Sequence, residues 1–181
     1  GQDLWRHPYV TPYDCNIVTL LKIGKDLFIS SGENHGAALL GVEKTGAKFS
    51  VKKRWVSQGS TSVLRNEWQT SILVDGYLYG FDNVGGAGPI THLTCVEAAT
   101  GKVAWQQSRF GKGNAMAADG KLFVSMMSGE LIVIQISPEK YIELGRQKIT
   151  RGTRQSPALS DGILILRDDE SIVAVDVKQK E

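Results

Sequence analysis

The sequence predicts an all-β chain, a β-propeller of four-stranded antiparallel blades, on three observations. A hairpin phrase recurs four times: Ile23-Gly24-Lys25-Asp26-Leu27-Phe28, Val74-Asp75-Gly76-Tyr77-Leu78-Tyr79, Ala118-Asp119-Gly120-Lys121-Leu122-Phe123 and Ser160-Asp161-Gly162-Ile163-Leu164-Ile165. Its anchoring leucines, Leu27, Leu78, Leu122 and Leu164, are 51, 44 and 42 residues apart, the length of one blade in such repeats. Tryptophans repeat as well, with Trp5, Trp55 and Trp105 separated by 50 residues each time.

Each blade contains four strands, A to D. Strands A and B flank the recurring turn. Three of the four turns are Asp-Gly, a pair that tolerates positive φ at both positions and so closes tight hairpins. Strand C is an apolar run ending in a polar turn: Val42-Glu43-Lys44-Thr45-Gly46, Val96-Glu97-Ala98-Ala99-Thr100-Gly101-Lys102, Ile134-Gln135-Ile136-Ser137-Pro138-Glu139 and Val175-Asp176-Val177-Lys178. Strand D carries the tryptophan. Runs such as Leu131-Ile132-Val133-Ile134 and Ile172-Val173-Ala174-Val175 are β-branched and too short for helices. They need cover on both faces, which stacked blades provide.

Residues 1–8 are expected to form the last strand of a preceding blade, residues 14–58 blade 1, 67–109 blade 2, 113–150 blade 3, and 155–178 an incomplete blade 4 with strands A to C. Residues 1–181 then read as one propeller segment, the C-terminal half of a larger ring of about seven or eight blades. The other arrangement is a ring of four, in which residues 1–8 complete the fourth blade.

Composition narrows the classes. A chain of 181 residues that is 41% hydrophobic and 22% charged can bury a core. Its 20 glycines against 5 prolines suit many tight turns. The net charge is +2, and the densest basic patch is Lys52-Lys53-Arg54, so no nucleic-acid stripe is expected. No apolar run is long enough to span a bilayer. Cys15 and Cys95 form no CxxC and read as small buried hydrophobes. No Gly-x-Ser-x-Gly elbow is present, and no catalytic or metal residues are assigned.

Ligands on a propeller meet the loops at one end, where D-to-A connections and B-to-C hairpins gather. There the sequence offers Glu33, Asn34 and His35 in blade 1 and Asp82 and Asn83 opening the long loop of blade 2. The connections bring Arg65, Asn66, Glu67 and Trp68, then Lys112 and Asn114, then Arg151 and Arg154. This mixture of carboxylates, amides and cations suits a polar small molecule or a peptide. Trp68 lies outside the tryptophan register and is the aromatic first expected to touch a ligand. Gly85-Gly86-Ala87-Gly88 is only superficially a phosphate loop, because no helix follows it. Glu33, Asp82 and Asn83 are the oxygen ligands that a calcium ion would find, without a spaced Asp-x-Asp motif. His7, His35 and His92 have no ligand spacing.

The phrase Asp75-Gly76-Tyr77-Leu78-Tyr79 followed by Val96-Glu97-Ala98-Ala99-Thr100-Gly101-Lys102-Val103-Ala104-Trp105 resembles a blade of the PQQ-like β-propeller repeat family. That family includes the outer-membrane assembly lipoprotein BamB and the quinoprotein alcohol dehydrogenases. The resemblance continues through Ala118-Asp119-Gly120-Lys121-Leu122 and Ser156-Pro157-Ala158-Leu159-Ser160-Asp161-Gly162 to Val173-Ala174-Val175-Asp176. It implies a bacterial protein of the periplasm or cell envelope, a binding or scaffolding module with a protein or peptide partner and no cofactor. Self-association through unpaired blade edges is a further expectation. The alternative it implies is part of a quinone-dependent alcohol dehydrogenase with PQQ and calcium, its site completed by further blades. The chain departs from that alternative in lacking adjacent cysteines. Blade 3 also lacks the Thr-Gly-Lys phrase.

Overall fold

The computed structural model describes residues 1–59 and 61–178. Its regular structure is all β apart from a single 3-10 turn, Pro12–Asp14. The chain divides into two compact units, Gly1–Phe110 and Gly111–Glu181, where the sequence reads as one segment.

The first unit holds two four-stranded meanders. Blade 1 is β1 (Leu21–Ile23), β2 (Asp26–Ser31), β3 (Gly36–Thr45) and β4 (Lys48–Gln58); blade 2 is β5 (Ile72–Val74), β6 (Tyr77–Val84), β7 (Ile90–Glu97) and β8 (Val103–Gln107). In the second unit, blade 3 is β9 (Gly113–Ala118), β10 (Lys121–Met126), β11 (Glu130–Gln135) and β12 (Glu143–Lys148). Blade 4 has three strands, β13 (Ala158–Ser160), β14 (Ile163–Arg167) and β15 (Ile172–Asp176). All the pairings are antiparallel between chain neighbours.

The turns explain the recurring phrase. Asp75, Asp119 and Asp161 have φ of 47°, 48° and 51°, and the glycines after them 81°, 68° and 76°. Both central residues are left-handed, the geometry that matches the twist of the flanking strands. β6 is buried along nearly its whole length and the first six residues of β3 are buried, while the outer β12 is exposed along its length. A bulge follows the residue paired with each outer tryptophan: Leu39 opposite Trp55, and Cys95 opposite Trp105. An extra residue there bends the strand and increases its local twist.

The core of the first unit joins both of its blades, with Phe28, Ala37 and Leu39 packed against Leu64, Leu78, Val96 and Ala98. Trp55 packs at its margin and donates its indole N–H to the Ala98 carbonyl at 2.9 Å. In the second unit, Phe123 and Leu131 of blade 3 meet Leu164 and Leu166 of blade 4.

Residues 1–8 correct the expectation of a strand: they have no regular structure. Pro8 removes a ladder donor. Beyond it the segment is held by side chains instead. The Tyr9 hydroxyl donates to the Gly36 carbonyl at 2.8 Å, and the Ser31 hydroxyl donates to the Cys15 carbonyl at 2.7 Å.

Candidate functional site

Four of the expected site residues are committed inside the first unit. Asp82 and Asn83 lie within β6 rather than in the loop beyond it, and Arg65, Asn66, Asp82 and Asn83 are all buried. The backbone N–H of Arg65 donates to Asp82 Oδ1 at 3.0 Å, and its guanidinium reaches the two carboxylate oxygens at 2.7 and 2.6 Å. Asn66 Nδ2 donates to the Phe81 carbonyl at 2.8 Å and Asn66 Oδ1 accepts from Ser71. Asn83 donates to the Arg65 carbonyl at 2.8 Å and accepts from Thr91. These groups fasten the D-to-A connection to strand B, which removes them from a ligand face. A buried charge is tolerated only when paired and hydrogen-bonded, and this network supplies both.

The blade 1 turn does a second structural job. Glu33 and Asn34 have φ of 52° and 58°. Asn34 Oδ1 accepts the Gly85 N–H at 2.9 Å, and both oxygens of Glu33 accept the Ala87 N–H, at 3.1 and 3.0 Å. The glycine-rich loop of blade 2 is therefore latched to blade 1. Glu33, Asp82 and Asn83 do not converge as calcium ligands: one serves the Ala87 amide, one Arg65, and one Thr91. His35 lies 3.0 Å from Gln58 Nε2, edge-on to Tyr9 at 4.5 Å between ring centroids. Burial lowers its pKa from the ordinary histidine value. Glu67 and Trp68 are half-buried in the connection. Cys95 is buried, and that burial pushes its thiol up to about 11, which fits the reading of an unreactive small hydrophobe.

The second unit exposes several of its charged residues around an open cleft. A cleft of about 530 Å³ lies between the D-to-A connection, residues 151–155, and the B-to-C hairpin, residues 167–170, with Met127 beside them. Arg151 and Arg154 are exposed on one wall, and Arg167, Asp169 and Glu170 on the other. Asp168 is buried and joins the two walls. Its carboxylate accepts the Arg151 N–H at 2.9 Å, the Glu170 N–H at 2.9 Å and the Ser171 N–H at 2.8 Å. Those three amides, Arg151 first, hold its pKa well below the usual carboxylate range. Buried Asn114 supports the arginine wall by donating to the Arg154 carbonyl at 2.7 Å. The half-buried Lys112 accepts the Met127 N–H at its carbonyl, 2.8 Å away.

Sequence reading found Arg151 and Arg154 but missed the facing wall, Arg167 to Glu170. The signal was present: Asp168 stands 17 residues after Arg151, as Asp82 does after Arg65.

No protein-family model and no curated protein matches the chain. Among solved structures, BamB from Moraxella catarrhalis aligns over 90% of this chain and 58% of its own, with a TM-score of 0.54 and 9% identity. The fold is that of a BamB-like β-propeller. A europium-containing methanol dehydrogenase also aligns, over 72% of this chain and 24% of its own, with a TM-score of 0.44 and 13% identity. The chain thus spans less than two thirds of the length of either structure. At these identities the BamB-like likeness concerns the fold, and activity must be argued from the site. Among the described residues no helix is long and apolar enough to cross a membrane.

Proposed function

We propose that this BamB-like propeller chain is a non-catalytic protein-binding module of the bacterial cell envelope, and that it receives its partner at the loop end of blade 4. The observation that carries this reading is the cleft between residues 151–155 and 167–170. It is open, wide enough for several side chains, and presents exposed arginine and carboxylate groups on walls pinned by Asp168. Walls fixed by hydrogen bonds offer charged side chains without a large ordering cost, which favours binding. The likeness to BamB supports an envelope setting.

Site-specific photo-cross-linking tests it. A photoreactive residue in place of Asp169, in cells making the protein, is expected to give a discrete protein adduct, whereas the same residue in place of exposed Lys25 gives none. Absence of an adduct at position 169 removes the reading. Retention of added quinone and calcium, together with dye-linked alcohol oxidation, would replace it with the oxidoreductase alternative.

A further inference from the structure

Blades 2 and 4 each place an arginine 17 residues ahead of an aspartate, Arg65 before Asp82 and Arg151 before Asp168. In both, the arginine backbone N–H donates to that aspartate, at 3.0 and 2.9 Å. The guanidinium groups then part. Arg65 turns inward onto Asp82, its side chain 5% exposed. Asp168 already accepts two backbone N–H groups from its own hairpin and the Ser171 hydroxyl at 3.0 Å. Arg151 therefore stands outward, its side chain 77% exposed, and pairs with Glu170 across the mouth of the cleft.

We infer, resting on the partner-binding reading above, that the cleft is a carboxylate-binding site for an acidic segment of the protein partner. Arg151 is the fork that receives the carboxylate, and Glu170 is an internal stand-in that occupies the fork beforehand. A guanidinium presents two parallel N–H donors to a carboxylate. An ion pair this exposed contributes little in water, so an incoming carboxylate displaces Glu170 at small cost. Arg154 and Arg167, exposed on opposite walls, add cations on either side of the fork. The charge of Asp168 is already met by its hydrogen-bond donors and does not oppose the ligand. Exposed Asp169 at the lip remains as a counterweight. It favours a spaced acidic peptide over a dense polyanion.

The test is fluorescence anisotropy of the whole protein with a labelled, C-terminally amidated peptide alternating Glu and Ser, against the same peptide with Gln for Glu. Saturable, salt-weakened binding of the Glu peptide is expected, and none of the Gln peptide. Arg151→Ala should lower affinity about tenfold, and Glu170→Gln, which frees the fork, should raise it about threefold. Arg151→Lys, which keeps the charge without the fork, should fall between Arg151→Ala and the unaltered protein. Because the Arg151 side chain is exposed and its anchoring group is the backbone N–H, circular dichroism of the variants should match that of the unaltered protein. Equal binding of the two peptides, or unchanged affinity in both Arg151→Ala and Glu170→Gln, overturns the inference. A partner adduct at position 169 with no preference for the acidic peptide leaves the module reading standing and removes only the carboxylate assignment.

Discussion

The indole of Trp55, on the outer strand of blade 1, donates to the carbonyl of Ala98 in blade 2 at 2.9 Å. The same ring lies over Gly101, where an added Cβ would stand 2.8 Å from Trp55 Cδ2. Gly101 also has φ of +75°. A tryptophan in one repeat thus fits against the turn of the next, and the glycine is what allows the approach.

Trp55→Phe keeps much of the apolar area but leaves the Ala98 carbonyl without its donor, and is expected to cost about 1–3 kcal/mol. Gly101→Ala combines backbone strain with a clash against the ring and should cost about 1–3 kcal/mol. Urea unfolding of each variant measures both. Midpoints unchanged from the parent would mean that the contact does not support the first unit.

Arg65 and Asp82 form a buried pair, 5% and 2% exposed. Removing one partner strands the other charge, so Arg65→Ala or Asp82→Ala alone is expected to destabilise by about 3–5 kcal/mol. Replacing both with apolar residues should cost less than the two single losses combined. A double-mutant cycle by chemical denaturation separates these outcomes. Additive single effects would show that the pair is not coupled.

His35 gives the first unit a pH dependence. Its folded pKa lies below the ordinary histidine value because burial disfavours the cation. The folded state therefore binds fewer protons than the unfolded chain over that interval. Stability is fully present above the unfolded value of about 6.5 and declines as pH falls through the folded one. His7 and Lys53 line the same small pocket and oppose a further positive charge. Tyr9, stacked edge-on against His35, should loosen on acidification. Proton NMR of the imidazole should report the lowered pKa, and the Tyr9 ring signals should shift in step. An imidazole titrating at or above 6.5 contradicts the expectation.

Asp168 should stay ionised well into acid, because three backbone amides favour its charged form. With its folded pKa depressed, its contribution is complete above the unfolded carboxylate value of about 3.9 and is lost as pH falls toward the folded one. Carbon-13 NMR of the side-chain carboxyl should show no titration near the unfolded carboxylate value of about 3.9. Asp168→Ala should release both walls of the cleft, seen as faster amide exchange at Arg151, Glu170 and Ser171 than at the β10 and β11 amides.

Much of the fold was legible in the chain. Asp-Gly turns need positive φ at two adjacent positions, so Asp75-Gly76, Asp119-Gly120 and Asp161-Gly162 mark hairpins wherever they separate apolar runs. The repeat spacing carried the sheet order. The candidate site was less legible. Asp82 and Asn83 look like loop residues in sequence, yet they lie within β6 and are buried. Turn composition cannot tell an exposed carboxylate from one that anchors the connection beside it. The wall from Arg167 to Glu170 was missed for the converse reason, since its role depends on a connection that begins 16 residues earlier at Arg151.

By itself the sequence determined the recurring hairpins: which residues turn and which run apolar, because these follow from local backbone preference and side-chain period. Only the tertiary structure decided which polar groups face one another. Arg65 and Arg151 hold the same place relative to their aspartates, and one guanidinium is buried on its aspartate while the other is exposed and pairs with Glu170. Glu170 and Ser171 make that difference by donating their amides to Asp168. Hydrogen-bond capacity is finite, and which donor fills it depends on geometry in three dimensions.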